Sequence, residues 1–280
     1  MTIYKNSTEL AAFLNNCRNN GMSIGFVPTM GALHRGHISL IELSKKENSI
    51  TVCSIFVNPT QFNKPDDFEK YPITIESDID MLEKQACDIL FLPDVEEIYP
   101  PGYLTSQYEL GYLETVLEGK YRPGHFQGVC QVVDRFLKIV NPDKLYLGQK
   151  DFQQCMVIKA MVKLKNFKLQ LIICPTLREW DGLAMSSRNK RLNEAERKLA
   201  CKIFEALSLV KNEMKEGSLK ELKIKAVNFL SSCGFKTDYL EIAEASTLAL
   251  LDYWDGQKSL VVLVATNLND VRLIDNLVIN

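Results

Sequence analysis

The sequence predicts an α/β protein: a doubly wound parallel sheet followed by a second, smaller α+β C-terminal domain. Three observations carry that expectation. Short apolar runs at 24–27, 50–57, 89–92, 145–147 and 169–174 alternate with segments of helical periodicity, the pattern of successive βα units. The run at 50–57 is β-branched and apolar without strict alternation, which suits a strand buried on both faces. After Pro175 the order changes, with helices first and strands last. The boundary is therefore drawn there, giving a Rossmann-like domain over residues 1–175 and a small domain over 176–280.

Each element has its own signal. Asn6 and Glu9 read as a capping box opening a helix that carries Leu10, Phe13, Leu14 and Cys17 on one face and closes near Gly21. The first strand runs into a glycine-punctuated turn and a helix beginning at the two histidines His34 and His37. Pro59 ends the next strand. A helix at 76–86 turns Ile79, Leu82 and Ala86 inward and leads to the strand at 89–92. The stretch 104–110 reads as a further strand, and 127–140 as a helix with Val129, Val132, Val133, Phe136 and Val140 at core spacing. A strand at 145–147 precedes a helix that starts at 148–151. In the second domain, Asn193 with Glu196 and Ser218 with Glu221 read as caps of two helices, and strands are expected at 239–243, 259–266 and 271–274.

Composition limits the function. The chain has 280 residues, 46% apolar and 24% charged, an ordinary globular balance that can bury a proper core. A net charge of −2 argues against bulk nucleic-acid binding, though not against a local pocket for a small anion. The eight cysteines form no C-x-x-C pair and sit mostly among apolar residues, as buried reduced thiols do. No basic-then-apolar leader opens the chain, and its longest apolar run, 260–265, is too short for a membrane span. A cytoplasmic protein without nucleic-acid or membrane partners is expected.

The chemistry gathers at the carboxyl ends of the strands, where open α/β sheets bind ligands. Met30-Gly31-Ala32-Leu33-His34-Arg35-Gly36-His37 places two imidazoles in the first turn of a helix. Backbone N–H groups left unpaired there, with the positive end of the helix dipole, favour an anion. Gly31 and Gly36 let a phosphate chain approach, and His34 and His37 are placed to donate to its oxygens. A turn whose histidines merely cap a helix fits this short motif equally well. Two further segments fall at the same edge, Asn58 to Gln61 and Gly148-Gln149-Lys150-Asp151, and the third histidine of the chain, His125, follows Arg122. Lys150 is a point charge for phosphate, Asp151 an acceptor for a ribose hydroxyl, and Ser186, Ser187 and Arg188 supply hydroxyls and a guanidinium suited to phosphate. Gln61 and Gln154 bond in both directions without titrating, fit to hold a polar substrate. No P-loop, dinucleotide fingerprint, zinc-protease helix or nucleophile elbow is present, and no activated protein nucleophile. Cationic groups around a nucleotide without one imply that the substrate itself attacks phosphorus, with charge stabilised on a leaving pyrophosphate.

Read together, these residues resemble the nucleotidylyltransferase superfamily, which includes the class I aminoacyl-tRNA synthetases, and within it the pantoate–β-alanine ligase family. The resemblance rests on 28–37, 56–62, 117–119 with 122–126, 148–154, 181–189 and 272–276, in the family's order along nearly the whole chain. It implies an ATP-dependent ligase that first forms pantoyl adenylate and pyrophosphate from pantoate and ATP, and then passes the pantoyl group to β-alanine, releasing AMP. Carried over by position, Met30 to His37 hold ATP, with His37 a proton donor and His34 a phosphate contact. Gln61 meets pantoate and β-alanine, Gln154 meets pantoate, and Asn58, Arg122 and His125 join the substrate site. Gly148 to Asp151 meet ribose and α-phosphate, Leu177 lies by the adenine, and Met185 to Arg188 close over the phosphates. Lys150 and Arg188 are counted with the histidines as catalytic. The resemblance also implies Mg²⁺ held through the phosphates with no metal ligands from the protein, a homodimer, and the C-terminal domain as a lid.

The chain departs from the family pattern at Gln149, where Glu is usual, at Ile73, where Arg is common, and at Trp180, where a small residue is common. Asn267-Leu268-Asn269 lacks the glycine often found before the last strand. Two other readings stay open: a nucleotidylyltransferase serving another acceptor, and a catalytically silent nucleotide-binding module. A class I tRNA synthetase is excluded by the lack of a long basic or anticodon-binding extension.

Overall fold

The computed structural model describes residues 1–63 and 68–279. The chain forms two compact units: Met1–Gly148 with Gln154–Pro175, and Gln149–Gln153 with Thr176–Asn280.

The first unit carries a six-stranded sheet of β1 (Thr2–Tyr4), β2 (Ile24–Thr29), β3 (Ile50–Ile55), β4 (Ile89–Phe91), β5 (Lys144–Gly148) and β6 (Gln170–Cys174). Its order is β1-β4-β3-β2-β5-β6, every pairing parallel. The helices are α1 (Ser7–Asn19), α2 (Arg35–Glu47), α3 (Ile75–Lys84), α4 (His125–Val140) and α5 (Phe152–Leu164), with single turns at Val95–Ile98 and Leu117–Tyr121. Alternation along the strands feeds two cores, one on each face. Phe26, Val52, Ile89, Phe91, Leu145 and Leu147 pack with Leu10 and Leu14 of α1, Phe136 of α4 and Ile158 of α5. Val27, Cys53, Ile55, Leu90 and Tyr146 pack with Ile38 and Ile41 of α2 and Leu82 of α3. Each fully buried side chain of this kind contributes roughly 1.5–3 kcal/mol, several times the spread of helix propensities, so packing rather than propensity sets the layers.

The second unit is built on β8 (Lys236–Glu244), β10 (Leu260–Leu268) and β11 (Val271–Ile279), an antiparallel sheet in the order β11-β10-β8. The two-residue strands β7 (Gly217–Ser218) and β9 (Tyr253–Trp254) pair separately. Leu240, Ile242, Val262 and Val264 of the sheet share a core with Ile203, Leu207 and Leu230 of the helices α7 (Lys202–Glu213) and α8 (Lys220–Ser232). The helix α6 (Glu194–Ala200) precedes them and is opened by the expected Asn193–Glu196 capping box.

Several expectations need correction. Phe13 is 39% exposed, because it packs sideways on Tyr4 of β1, a strand too short to be read from sequence. Ala86 lies beyond the end of α3, exposed and with φ of 50°, rather than facing the core. No strand forms at 104–110. Instead Gln127 of α4 donates to the Tyr108 carbonyl and accepts from its N–H, and Gln131 reaches the Ser106 carbonyl, so glutamine amides replace a partner strand. Ser218 belongs to β7, and the cap of α8 is Leu219, without a side-chain bond. Residues 149–153 group with the second unit, where Asn276 on β11 binds the Gln149 and Lys150 carbonyls.

Candidate active site

In the first unit, β2 and its neighbour β3 end level, Thr29 beside Ile55, and the chain leaves both at the carboxyl edge of the sheet. Thr29 Oγ1 donates to the Ser54 carbonyl at 2.7 Å and accepts from the Gly31 N–H at 3.2 Å, tying the exits together. The turn then passes through Gly31 at φ 78° and Ala32 at φ 47°. Left-handed backbone at alanine costs about 1–3 kcal/mol. It is held by Asp78 of α3, a carboxylate only 1% exposed, which accepts the Ala32 and Leu33 N–H groups at 2.8 Å each. Hydrogen bonds to a charged group are worth about 1.5–3 kcal/mol each, so the pair outweighs the strain. A side chain at Gly31 would stand 3.1 Å from that carboxylate and 3.0 Å from Ile55.

The histidines follow at once. His34 is the N-cap of α2, its Nδ1 accepting the Gly36 N–H at 3.1 Å, and His37 sits in the first turn. A ring nitrogen that accepts carries no proton, so in neutral His34 the hydrogen is on Nε2. The two rings stack with centroids 4.0 Å apart. Six amides of this turn are engaged within the protein. Gly31, Ala32, Leu33, Gly36, His37 and Ile38 all donate within the protein, to Thr29, Asp78 and His34. Arg35 is exposed and pairs with Glu42 at 3.4 Å, on the helix surface.

Gln61 is brought to the same edge. It closes the short turn Pro59–Gln61 after β3, is buried, and its Nε2 contacts Met30 Sδ at 2.6 Å. Asn58 caps that turn and is fully engaged: its amide donates to the Gly128 carbonyl (3.0 Å) and Gln61 Oε1 (3.3 Å), and its oxygen accepts from Tyr99 (3.0 Å) and Thr60. It holds Gln61 in place and has little left to offer a substrate. His125, also buried, donates from Nδ1 to the Gln61 carbonyl at 2.8 Å, and its Nε2 meets Arg122 at 3.1 Å. Arg122 in turn pairs with Glu118 at 3.8 Å. Gly128 lets α4 touch this turn, for a Cβ there would stand 2.3 Å from the Thr60 carbonyl oxygen. Met30, His34, His37, Gln61, Asn58, Arg122 and His125 thus belong to one edge of one unit. Gly148 ends β5 on the other side of β2, and Gln154 is half-buried on α5.

The second unit arranges the remaining residues by itself. Asn276, 1% exposed, donates from Nδ2 to the carbonyls of Gln149 (2.9 Å) and Lys150 (2.8 Å). Lys150 lies 3.5 Å from Asp151. Asp275 beside it accepts a two-point contact from Arg178, at 2.6 and 3.1 Å. Burial pushes the Asp275 carboxyl up, against the pull of that guanidinium. Arg178 also lies 4.2 Å over the Phe204 ring and bridges to Ala184, forming a hairpin with Leu177 and Met185 hydrogen-bonded across its mouth. Leu177 is 38% exposed. Ser186 caps the turn Ser187–Arg191 by accepting the Arg188 N–H, and Ser187 is buried. None of the eight cysteines is in a disulfide, and burial raises the thiols of Cys53, Cys87, Cys130 and Cys174, the second and last to about 11, which leaves no thiolate nucleophile among these four.

The sequence pattern of pantoate-beta-alanine ligases matches residues 2–278. The chain belongs to that family. It is 46% identical over 274 residues to a pantothenate synthetase of Cytophaga hutchinsonii, covering 97% of this chain and 96% of that one. A pantothenate synthetase of Bacteroides fragilis is 42% identical over 278 residues, 99% and 98% of the two chains. Among solved structures, the pantothenate synthetase of Thermus thermophilus superposes with a TM-score of 0.91 at 40% identity, over 99% of each chain. The pantoate-beta-alanine ligase of Francisella tularensis, complexed with beta-gamma ATP and beta-alanine, gives 0.83 at 40% identity over 99% of this chain and 97% of that one. As a member of the pantoate-beta-alanine ligase family the chain is an ATP-dependent ligase condensing pantoate with β-alanine. A silent nucleotide-binding module, or a nucleotidylyltransferase for another acceptor, does not fit that membership.

The departures from the family pattern have local accounts. Gln149 donates from Nε2 to Asn276 Oδ1 at 3.3 Å, a contact that a carboxylate would turn into repulsion. Asn269 takes φ of 49° in the β10–β11 turn, the left-handed conformation a glycine supplies elsewhere, and donates to Glu196 at 2.6 Å. Ile73 and Trp180 are 73% and 94% exposed, and nothing in the structure explains either choice.

One prediction concerns the 181–189 segment. Arg197 holds Asp181 through two hydrogen bonds, 2.6 and 3.2 Å, and so lowers its carboxyl below the ordinary 3.8. A depressed acid stabilises the fold above its unfolded value and loses that contribution as pH falls through the folded one. Asp181→Asn should therefore lower Tm at pH 7, and the gap from wild type should narrow below about pH 4. Thermal melts across pH 2–7 read it, and a pH-independent gap would refute the ion-pair account.

Proposed function

We propose that condensation runs through pantoyl adenylate, with His34 and His37 as the phosphate-directed donors and Gln61 as the anchor for pantoate and β-alanine. The observation that carries this reading is the juxtaposition at the ends of β2 and β3: a stacked imidazole pair beside Met30, on which the buried Gln61 amide rests. In the first half-reaction a pantoate carboxylate oxygen attacks the α-phosphorus of ATP, and the bond to the bridging oxygen breaks, its electron pair leaving with pyrophosphate. His34 gives its Nε2–H to a phosphate oxygen, and His37 donates to the charge gathering on the leaving group. Such preorganised donors act on charge that exists only in the transition state. In the second half-reaction the β-alanine amine attacks the acyl carbon, the bond to AMP breaks, and the new amide nitrogen loses a proton. Lys150, Asp151, Arg188 and Met185 to Ser187 serve the nucleotide, Leu177 its base, and Arg122, His125 and Gln154 the acyl side.

Among the described residues no cluster of three or more His, Cys, Asp or Glu is placed to hold a metal ion. The reading includes Mg²⁺ carried by the nucleotide phosphates and water, as such hard cations commonly are at nucleotide sites. When bound it neutralises phosphate charge. The reading further includes residues 176–280 as a lid, a homodimer, and a cytoplasmic location, the last supported by eight cysteines of which none is in a disulfide, as suits a reducing compartment.

Pantoate labelled with ¹⁸O in its carboxylate tests the route. An acyl adenylate leaves one labelled oxygen in each AMP released by β-alanine. Label appearing in inorganic phosphate or pyrophosphate instead would replace the adenylate with an acyl phosphate path.

A further inference from the structure

Asp78 is a buried carboxylate outside the substrate residues, and its three partners all belong to the support of one turn. Two are the Ala32 and Leu33 amides; the third is Thr74 Oγ1, which donates to its Oδ1 at 3.0 Å. The turn it holds leads directly into His34, and its backbone is left-handed at Gly31 and Ala32. An anion that wanted those amides would have to displace a carboxylate already bonded to both.

We propose that Asp78 is a positioning residue for the first half-reaction. It occupies the Ala32 and Leu33 amides in place of phosphate, fixes the left-handed turn, and so aims the stacked His34–His37 pair at the nucleotide. The inference rests on the reading of His34 and His37 as phosphate-directed donors. Specificity for the imidazoles follows from position: Asp78 takes the Ala32 and Leu33 amides, and the next residue of the chain is His34. Misplacing them should affect the step in which charge develops more than the binding of ATP.

Asp78→Asn keeps the shape but turns an N–H₂ toward one of the two backbone donors. It should slow pantoate-dependent pyrophosphate release by about 10- to 100-fold, while the affinity for ATP changes by less than about threefold. Because the chain has only three histidines, ¹⁵N-imidazole spectra separate a local from a general effect. The His34 and His37 signals should shift, and that of His125, held by Gln61 and Arg122, should stay. Thr74→Val, which removes only the hydroxyl bond, should move the same two signals with a smaller rate loss. It decides the matter alone if Asp78→Asn does not fold. Unmoved His34 and His37 signals in either folded variant, or a loss that tracks global unfolding with all three histidines shifted, would overturn the proposal. Full pyrophosphate release by His34→Ala and His37→Ala would instead sink the reading of the site, leaving the spectra to judge Asp78 separately.

Discussion

Replacing His37 with alanine is expected to slow pantoate-dependent pyrophosphate release by about 10²–10³-fold, the usual cost of removing one donor to a developing charge. ATP affinity should fall much less, because in the proposed role the side chain acts on charge that ground-state ATP has not yet developed. The stack with His34, 4.0 Å between centroids, adds a second expectation. His34→Ala should also lower the rate, and the double variant should lose less than the product of the two single losses, since residues acting as a unit are not additive. Single-turnover pyrophosphate release with equilibrium ATP binding checks each part. Equal losses in affinity and rate would mean that His37 merely binds ATP.

The second large effect is steric. Gly128→Ala should destabilise the first unit, because the added Cβ would lie 2.3 Å from the Thr60 carbonyl oxygen and 2.8 Å from Gln61 Cα, backbone that cannot swing aside. Overpacking of this kind costs about 1–3 kcal/mol, equivalent to roughly 2–10 °C in Tm for a chain this large. The displaced turn carries Gln61, so kcat/KM for pantoate and β-alanine should fall by more than about tenfold even in the folded fraction. Thermal melts and steady-state kinetics on one preparation read both. A stable variant of normal activity would show that α4 does not set the Gln61 turn.

The sequence made the sheet legible where burial leaves a pattern. Strands β2 to β6 are apolar runs between helices, and the helix of Val129, Val132, Val133 and Phe136 announced its face through spacing. What escaped was short or satisfied from outside. β1 is three residues long, and its pairing with β4 comes from the fold, not from local preference. The stretch 104–110 has strand composition, but its backbone bonds go to Gln127 and Gln131, a choice made across the structure. The candidate site divides the same way. His34, His37 and Gln61 stood out because rare residue types cluster beside glycines and prolines. Asp78 did not: it is one of four acidic residues in α3, and only tertiary structure separates the buried carboxylate from Glu76, Asp80 and Glu83. Asn276 lay within a recognised motif, yet its hold on the Gln149 and Lys150 carbonyls spans 126 residues or more.

The central claim is that pantoate is activated on this protein by transfer of the adenylyl group before any amine arrives. Protein at known site concentration, with ATP, Mg²⁺ and pantoate but no β-alanine, is followed for pyrophosphate. The account predicts a pantoate-dependent burst of about one equivalent per site, then turnover with equal AMP and pantothenate once β-alanine is added. Protein that binds ATP yet releases no pyrophosphate until β-alanine is present would contradict it.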